Sequence, residues 1–303
     1  MNSVFDMLRP RSMETGIGSA AMAEAVAFAL KTILLPVDFD ESNRAAAHQA
    51  QVLARYFKAT VTLLHVTEVK DYLVSLPADA LRVAQNRLEA FGADELRGVT
   101  ANFVVSSGDP ATRIVDFANH EDCDLILMPA HRHGPISRFH LGTVASQVLD
   151  RAKCPVWTVA NSIWETNASA VRRVLCGVNF GPPTRNTIRW AASFANAFGA
   201  ALSVMCVLPP EPPSDVPEWY LSEFNEGALP GLESRLKELL KDLRVEAEIL
   251  IDEGDAATIL TNTARSINAD LVVVGRRSGE AGSGRDGNIE AIVRHAPCPV
   301  VCL

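Results

Sequence analysis

Met128–Val159 reads MPAHRHGPISRFHLGTVASQVLDRAKCPVWTV, and Val274–Leu303 reads VGRRSGEAGSGRDGNIEAIVRHAPCPVVCL. Each stretch follows an Asp-Leu-apolar-apolar run, Asp124–Leu127 in one and Asp270–Val273 in the other. Each then passes through a loop to a Gly-Thr or Gly-Asn pair, a helical pattern, a Cys-Pro pair and a short strand-like run. A strand that feeds a loop and then a helix start is suited to hold an anion. The free N–H groups of the first turn and the positive end of the helix dipole both favour a phosphate there.

Working outward, the chain alternates strand and helix signals. Thr32–Val37 is a short apolar run, as in a buried parallel strand, and it leads into Asp38, Asp40, Glu41 and a helix start. Ala45–Tyr56 is an Ala-rich helix and Thr60–Val66 a β-branched strand. Asp79–Phe91 carries Leu81, Ala84 and Leu88 at helical spacing. Thr100–Val105, Leu125–Met128 and Pro155–Val159 complete a set of five strands. Helices through Ala118 and over Thr143–Ala152 are expected between them.

The same order then returns: strand Val174–Val178, helix Trp190–Phe198, strand Ala201–Val207, a leucine-faced helix from Leu232 to Leu243, strand Val245–Ile251, strand Leu271–Val274, helix Ile289–His295 and strand Val300–Leu303. Asp38 and Asn179 lie 141 positions apart, as do Val66 and Val207. Gly108 and Gly254 are 146 apart, Gly142 and Gly287 145, and Cys154 and Cys298 144. That register marks a duplication. The expected division is an N-terminal extension over 1–30, a first domain over 31–160, a linker over 161–172 and a second domain over 173–303. Alternating strands and helices imply α/β domains, each a doubly wound parallel sheet with right-handed crossovers. Ligands of such sheets sit at the carboxyl ends of the strands.

Composition narrows the function. A formal net charge of −8 lacks the basic stripe of a nucleic-acid binder. No apolar run reaches membrane-spanning length. Ser19–Leu30 is apolar, but Glu24 interrupts it and it runs straight into the first strand, so a short helix or disordered lead-in is expected rather than a signal peptide. The six cysteines form no CxxC pair and read as reduced, packed thiols of a cytoplasmic protein.

Taken together, Pro36-Val-Asp38, Leu63-Leu-His-Val66, Gly108-Asp-Pro110, Gly142-Thr143, Ala152-Lys-Cys-Pro-Val156 and Ala296-Pro-Cys-Pro-Val300 resemble the universal stress protein family in tandem two-domain form. The resemblance implies Rossmann-like domains of the adenine nucleotide alpha hydrolase-like type, packed as an intramolecular pseudo-dimer through Val156–Val159 and Val300–Leu303. It implies a stress-associated cytoplasmic protein, with a homodimer as a further option. ATP, with Mg, is the ligand it implies. Members that bind ATP carry G-x2-G-x9-G-[S/T] after the fourth strand and an Asp after the first. Here Pro129 and Arg132 replace the first two glycines, while Asp38 and Gly142-Thr143 remain. In the second half Gly275 remains, Ser278 replaces the second glycine, the spacing to Gly287 is one shorter, Asn288 replaces Ser/Thr and is expected as an N-cap, and Asn179 replaces the Asp.

By that resemblance Pro36, Val37, Asp38 and Val66 face base and ribose. Met128, Gly142, Thr143 and Val144 face phosphates, with Arg132 as a substitute anchor. Val178, Asn179, Val207, Gly275, Gly287 and Asn288 are the second-half counterparts. Arg276, Arg277 and Arg285 either offset the lost donors or lie in a solvated loop. The alternative is an interaction or assembly protein of the same fold that binds no nucleotide. Asp38 has its own alternative, as a strand-end residue capping the next helix.

Other motifs carry less. Gly282-Ser-Gly284-Arg-Asp-Gly287 matches a dinucleotide fingerprint, but it follows a late strand and only 16 residues remain after it. His131, His133 and His140 share a loop, yet a metal needs converging ligands with a supporting shell. His65, on a strand, reads as a satisfied, partly buried histidine. No nucleophile–base pair can be assigned, so a binding protein is expected rather than an enzyme.

Overall fold

The computed structural model describes residues 28–67, 78–130, 141–159, 171–181, 183–208, 229–276 and 287–303. Arg132, the histidines 131, 133 and 140, Arg277, Ser278, Arg285, most of the 282–287 motif and the expected linker core 161–170 lie outside the described residues. So does the lead-in before Phe28. Phe28, Ala29 and Leu30 are not helical, and Leu30 is buried.

The first half runs β1 (Thr32–Pro36), α1 (Ser42–Phe57), β2 (Thr60–Thr67), α2 (Ala78–Glu95), β3 (Thr100–Ser107), α3 (Pro110–His120), β4 (Leu125–Pro129), α4 (Thr143–Arg151) and β5 (Val156–Val159). The second runs β6 (Arg173–Val178), α5 (Thr184–Phe198), β7 (Ala201–Leu208), α6 (Leu229–Leu243), β8 (Glu248–Glu253), α7 (Ala256–Ser266), β9 (Leu271–Val274), α8 (Gly287–His295) and β10 (Val300–Cys302). All strands join one ten-stranded sheet in the order β3-β2-β1-β4-β5-β10-β9-β6-β7-β8. Every neighbouring pair is parallel except β5 with β10, which are antiparallel, Val300 opposite Thr158 and Cys302 opposite Val156. The order therefore reads as the same doubly wound sheet twice, joined edge to edge through the last strands.

The central strands are apolar throughout because both faces are covered: Ile33, Leu34, Leu35, Leu125, Ile126 and Leu127 are all buried. α1 buries Ala46, Ala50, Leu53 and Ala54 along one stripe, so small side chains let it sit close to the sheet. α3 starts sharply because Asp109 accepts from the Thr112 N–H at 2.9 Å and Pro110 fits the first turn. Asp255 does the same for α7, accepting from the Thr258 N–H at 2.8 Å. Gly108 (φ 133°) and Gly254 (φ 143°) precede these caps in conformations that other residues rarely adopt.

One core lies on each face of the sheet, and both cross the junction between halves. On one face α1 meets α5. Phe28 packs against Phe57, Trp190 and Phe194 at centroid distances of 5.2–5.5 Å, and Tyr56 stacks on Phe198 at 4.4 Å. The Tyr56 hydroxyl donates to the Ala197 carbonyl. On the other face α4 meets α8, where the Ser146 hydroxyl donates to Glu290 Oε1 at 2.5 Å.

Several expected boundaries move, and three of these shifts bear on the argument. α5 begins at Thr184 rather than Trp190, because polar residues 184–186 hide the first turn from a hydrophobic-period reading. β8 begins at Glu248 rather than Val245. Arg244 takes a left-handed conformation (φ 54°) and the Val245 N–H closes back on the Leu240 carbonyl at 2.9 Å, so local capping overrides the β-branched residue. β1 ends at Pro36, which leaves Asp38 two residues beyond the strand.

Candidate functional site

In the first half the connection from β1 runs outward to β2 and that from β4 runs the opposite way to β5, so the crevice lies between the carboxyl ends of β1 and β4. Pro36 sits opposite Leu64, and the Val37 N–H donates to the Leu64 carbonyl at 2.9 Å. Leu34 sits opposite Ile126, so continuing the register brings Pro36 alongside Met128. Val66, Met128 and Val144 pack in the same face's core, and Met128 is buried. Thus β1, β2 and β4 bring Pro36, Val37, Val66 and Met128 to one edge of the sheet.

Asp38 is exposed there. Its carboxylate accepts from the Asp40 N–H at 3.1 Å, and its own N–H donates to Asn43 Oδ1 at 3.0 Å. Between them Phe39 adopts φ 63°, with its ring 4.6 Å from His65 and Arg87 Cζ 4.2 Å from the ring centroid. His65 Nδ1 lies 2.7 Å from the Val37 carbonyl, which can only accept, so that nitrogen carries the proton. The sequence reading missed Phe39 and Asn43. A signal existed: Phe39 and Phe180 lie 141 apart, each after an Asp or Asn.

α4 opens at Gly142, whose N–H donates to the Ala130 carbonyl at 3.2 Å, and among the described residues no side chain caps this helix. The first-turn amides of Thr143, Val144 and Ala145 have no intrahelical acceptor. Gly142 has φ −62° and ψ 139°, which any residue adopts, and among the described residues an added Cβ would meet only Ala130 O at 4.0 Å. Neither the backbone nor packing among the described residues requires a glycine there.

The second half repeats the frame with different contents. Gly177 sits opposite Val274 and Val178 opposite Cys206, so Val178, Asn179, Val207 and Gly275 also share one edge. The Asn179 side chain accepts from the Gly181 N–H at 3.1 Å, and Phe180 has φ 56°, the same turn as at Asp38. At Gly275, however, an added Cβ would lie 2.7 Å from Thr187 Oγ1 and 3.2 Å from Pro183 Cβ. Pro183 and the first turn of α5 pack against Gly275, and that packing accounts for the glycine. Asn288, expected as an N-cap, lies inside the first turn of α8, which already includes Gly287.

Arg276 is partly buried, and its guanidinium is engaged by the first half. Its Nη1 donates to the Leu149 carbonyl at 2.6 Å and its Nη2 to the Cys154 carbonyl at 2.8 Å, both in the first half. The thiols are packing groups: burial pushes Cys176, Cys206 and Cys302 up to about 12, so they hold no thiolate near neutrality. Among the described residues, no three His, Cys, Asp or Glu side chains gather as metal ligands. No described helix is long and apolar enough to cross a membrane.

A cavity of about 270 Å³ lies away from both crevices, between α5 and the turn before β8, lined by Ala192, Asn196, Arg244 and Glu246. Its first-half equivalent is filled: Gln51 and Arg55, at the positions of Ala192 and Asn196, both donate to the Arg97 carbonyl. Side-chain shortening explains the space.

Fold and crevice together define a duplicated α/β protein of the doubly wound, Rossmann-like class. The family model described as the universal stress protein family matches the chain twice, over residues 29–160 and 170–303. The chain belongs to this family. It is 32% identical over 139 residues to a universal stress protein of Methanocaldococcus jannaschii, covering 43% of this chain and 81% of that one. It is 25% identical over 229 residues to one of Mycobacterium tuberculosis, covering 74% of each. A solved universal stress protein from Archaeoglobus fulgidus superposes with a TM-score of 0.68 at 20% identity, over 89% of this chain and 95% of that one.

Proposed function

We propose that this protein is a stress-associated regulatory binder of an adenine nucleotide, with one competent site, in the first half. Pro36, Val37, Asp38 and Val66 hold base and ribose. Met128 and the start of α4 at Gly142, Thr143 and Val144 receive the phosphates of Mg-ATP. Arg132, outside the described residues, is the substitute anchor. The observation that carries this reading is Gly142: a glycine that neither its backbone nor its described neighbours demand, with no described atom nearer than 4.0 Å to an added Cβ, opening a helix beside the switch point. Close approach of a phosphate to backbone N–H groups is what such a glycine permits. In the second half Gly275, the counterpart of Pro129, is packed against Thr187 and Pro183, and the role we assign to that half is assembly.

Pro129 favours a second reading, in which the whole chain serves interaction alone, because proline offers no N–H where the family's first glycine stands. The two readings separate in one experiment. Protein purified without added nucleotide is denatured and the released small molecules are identified by mass spectrometry. The emptied protein and its Asp38→Ala and Gly142→Val variants are then titrated with Mg-ATP by calorimetry. Nucleotide binding near one per chain, weakened about tenfold or more in each variant, supports the first reading. An empty protein that takes up no Mg-ATP supports the second.

A further inference from the structure

We propose that Arg276, a second-half residue, is a positioning residue for the first-half site. It fixes the helix whose opposite end receives the phosphates. This rests on the nucleotide reading above.

α4 runs from Thr143 to Arg151, and Leu149 O is among the last four carbonyls that helix geometry leaves without an N–H partner. Arg276 Nη1 supplies that partner at 2.6 Å, while Nη2 holds the Cys154 carbonyl in the turn leading to β5. The guanidinium also places a buried positive charge at the negative end of the α4 dipole. Its backbone is fixed in turn, since the Arg276 N–H donates to the Leu303 carbonyl at the end of β10.

Among the described residues the contact runs one way. Ala130 is the repeat equivalent of Arg276, and its N–H makes the matching bond to Val159 O at 2.9 Å. Its methyl group reaches no carbonyl of α8. The end of α8 is held within its own half, where Arg265 Nη2 donates to the His295 carbonyl at 2.5 Å. So a second-half residue supports the helix that opens the first-half site. Arg276 directly follows Gly275, in the stretch where the family pattern places phosphate contacts. Here its donors serve the neighbouring half.

Two measurements test this. Hydrogen exchange without nucleotide is followed in α4 for wild type, Arg276→Gln and Arg276→Lys. Calorimetry then compares ATP with adenosine on the same proteins. Arg276→Gln should speed exchange in the last turn of α4. It should weaken ATP by about threefold to tenfold and leave adenosine unchanged, with Arg276→Lys in between. General loss of structure would weaken both ligands equally, and that result overturns the proposal. So does faster α4 exchange with ATP affinity unchanged. If wild type binds no ATP, the nucleotide reading itself has failed, and the blank wild-type titration distinguishes that outcome.

Discussion

The carboxyl end of β4 carries Pro129 and Ala130 where the carboxyl end of β9 carries Gly275 and Arg276. Across from them, α1 offers Ser42 and Ala46 where α5 offers Pro183 and Thr187. Bulk has changed sides between the two halves, small helix residues facing a proline in one and large helix residues facing a glycine in the other. The frame is kept throughout: both halves have the Asp/Asn turn, the positive-φ phenylalanine and the Asp-capped third helix. A duplicated fold therefore separates residues that hold the scaffold, which match, from residues at the crevice, which diverge.

The largest effect expected from this contrast is at the aromatic junction. Phe194 is fully buried against Phe28, Trp157, Trp190 and Phe198, whereas Leu53 is its first-half counterpart. Phe194→Ala should cost about 3–5 kcal/mol and Leu53→Ala about 2–5 kcal/mol in denaturant unfolding. A smaller loss for Phe194 would mean that the junction is not a shared core.

Next comes the glycine pair. Gly275→Ala should destabilise by about 1–3 kcal/mol, because its Cβ arrives 2.7 Å from Thr187 Oγ1, and Thr187→Ala in the same chain should restore part of it. Gly142→Ala should change stability by less than about 0.5 kcal/mol. Equal melting shifts at the two sites would erase the distinction between a glycine kept by packing and one that its described neighbours leave free.

The smallest effect tests where the halves agree. Hydrogen bonds from the Thr112 hydroxyl and N–H hold Asp109 below the usual carboxylate range, and those from Thr258 do the same for Asp255. Each cap therefore contributes stability above the unfolded carboxylate pKa and loses it as pH falls through the lower folded value. Asp109→Ala and Asp255→Ala should each cost about 1 kcal/mol at neutral pH, add in the double variant, and converge on wild type in acid. Melting curves across pH check this, and a cost that persists in acid would point away from capping.

Much of the scaffold was legible in the sequence because it rests on local signals. Asp109-Pro110 and Gly254-Asp255 announce helix starts, and buried parallel strands announce themselves as uninterrupted apolar runs. That the two halves meet through their last strands followed from the resemblance, and the structure adds the order of the ten strands. Arg276 was not legible, because its partners Leu149 and Cys154 lie more than 120 positions away and are backbone carbonyls, which leave no side-chain pattern. Nor was the glycine contrast: Gly275 is kept by packing against Thr187, and only coordinates separate that from kept for a ligand. The helix start at Thr184 was hidden by polar residues, and the start of β8 by a capping bond that no propensity records.

The antiparallel pairing of β5 with β10 has a further consequence. Both strands belong to one polypeptide, so their encounter is unimolecular and their association does not weaken on dilution, as it would between separate subunits. A twofold operator copies every substitution onto both partners of a homodimer. Covalent linkage removes that obligation. A change at Gly275 has no enforced twin at Pro129, and each half is free to drift toward its own task while the shared sheet holds them at constant proximity.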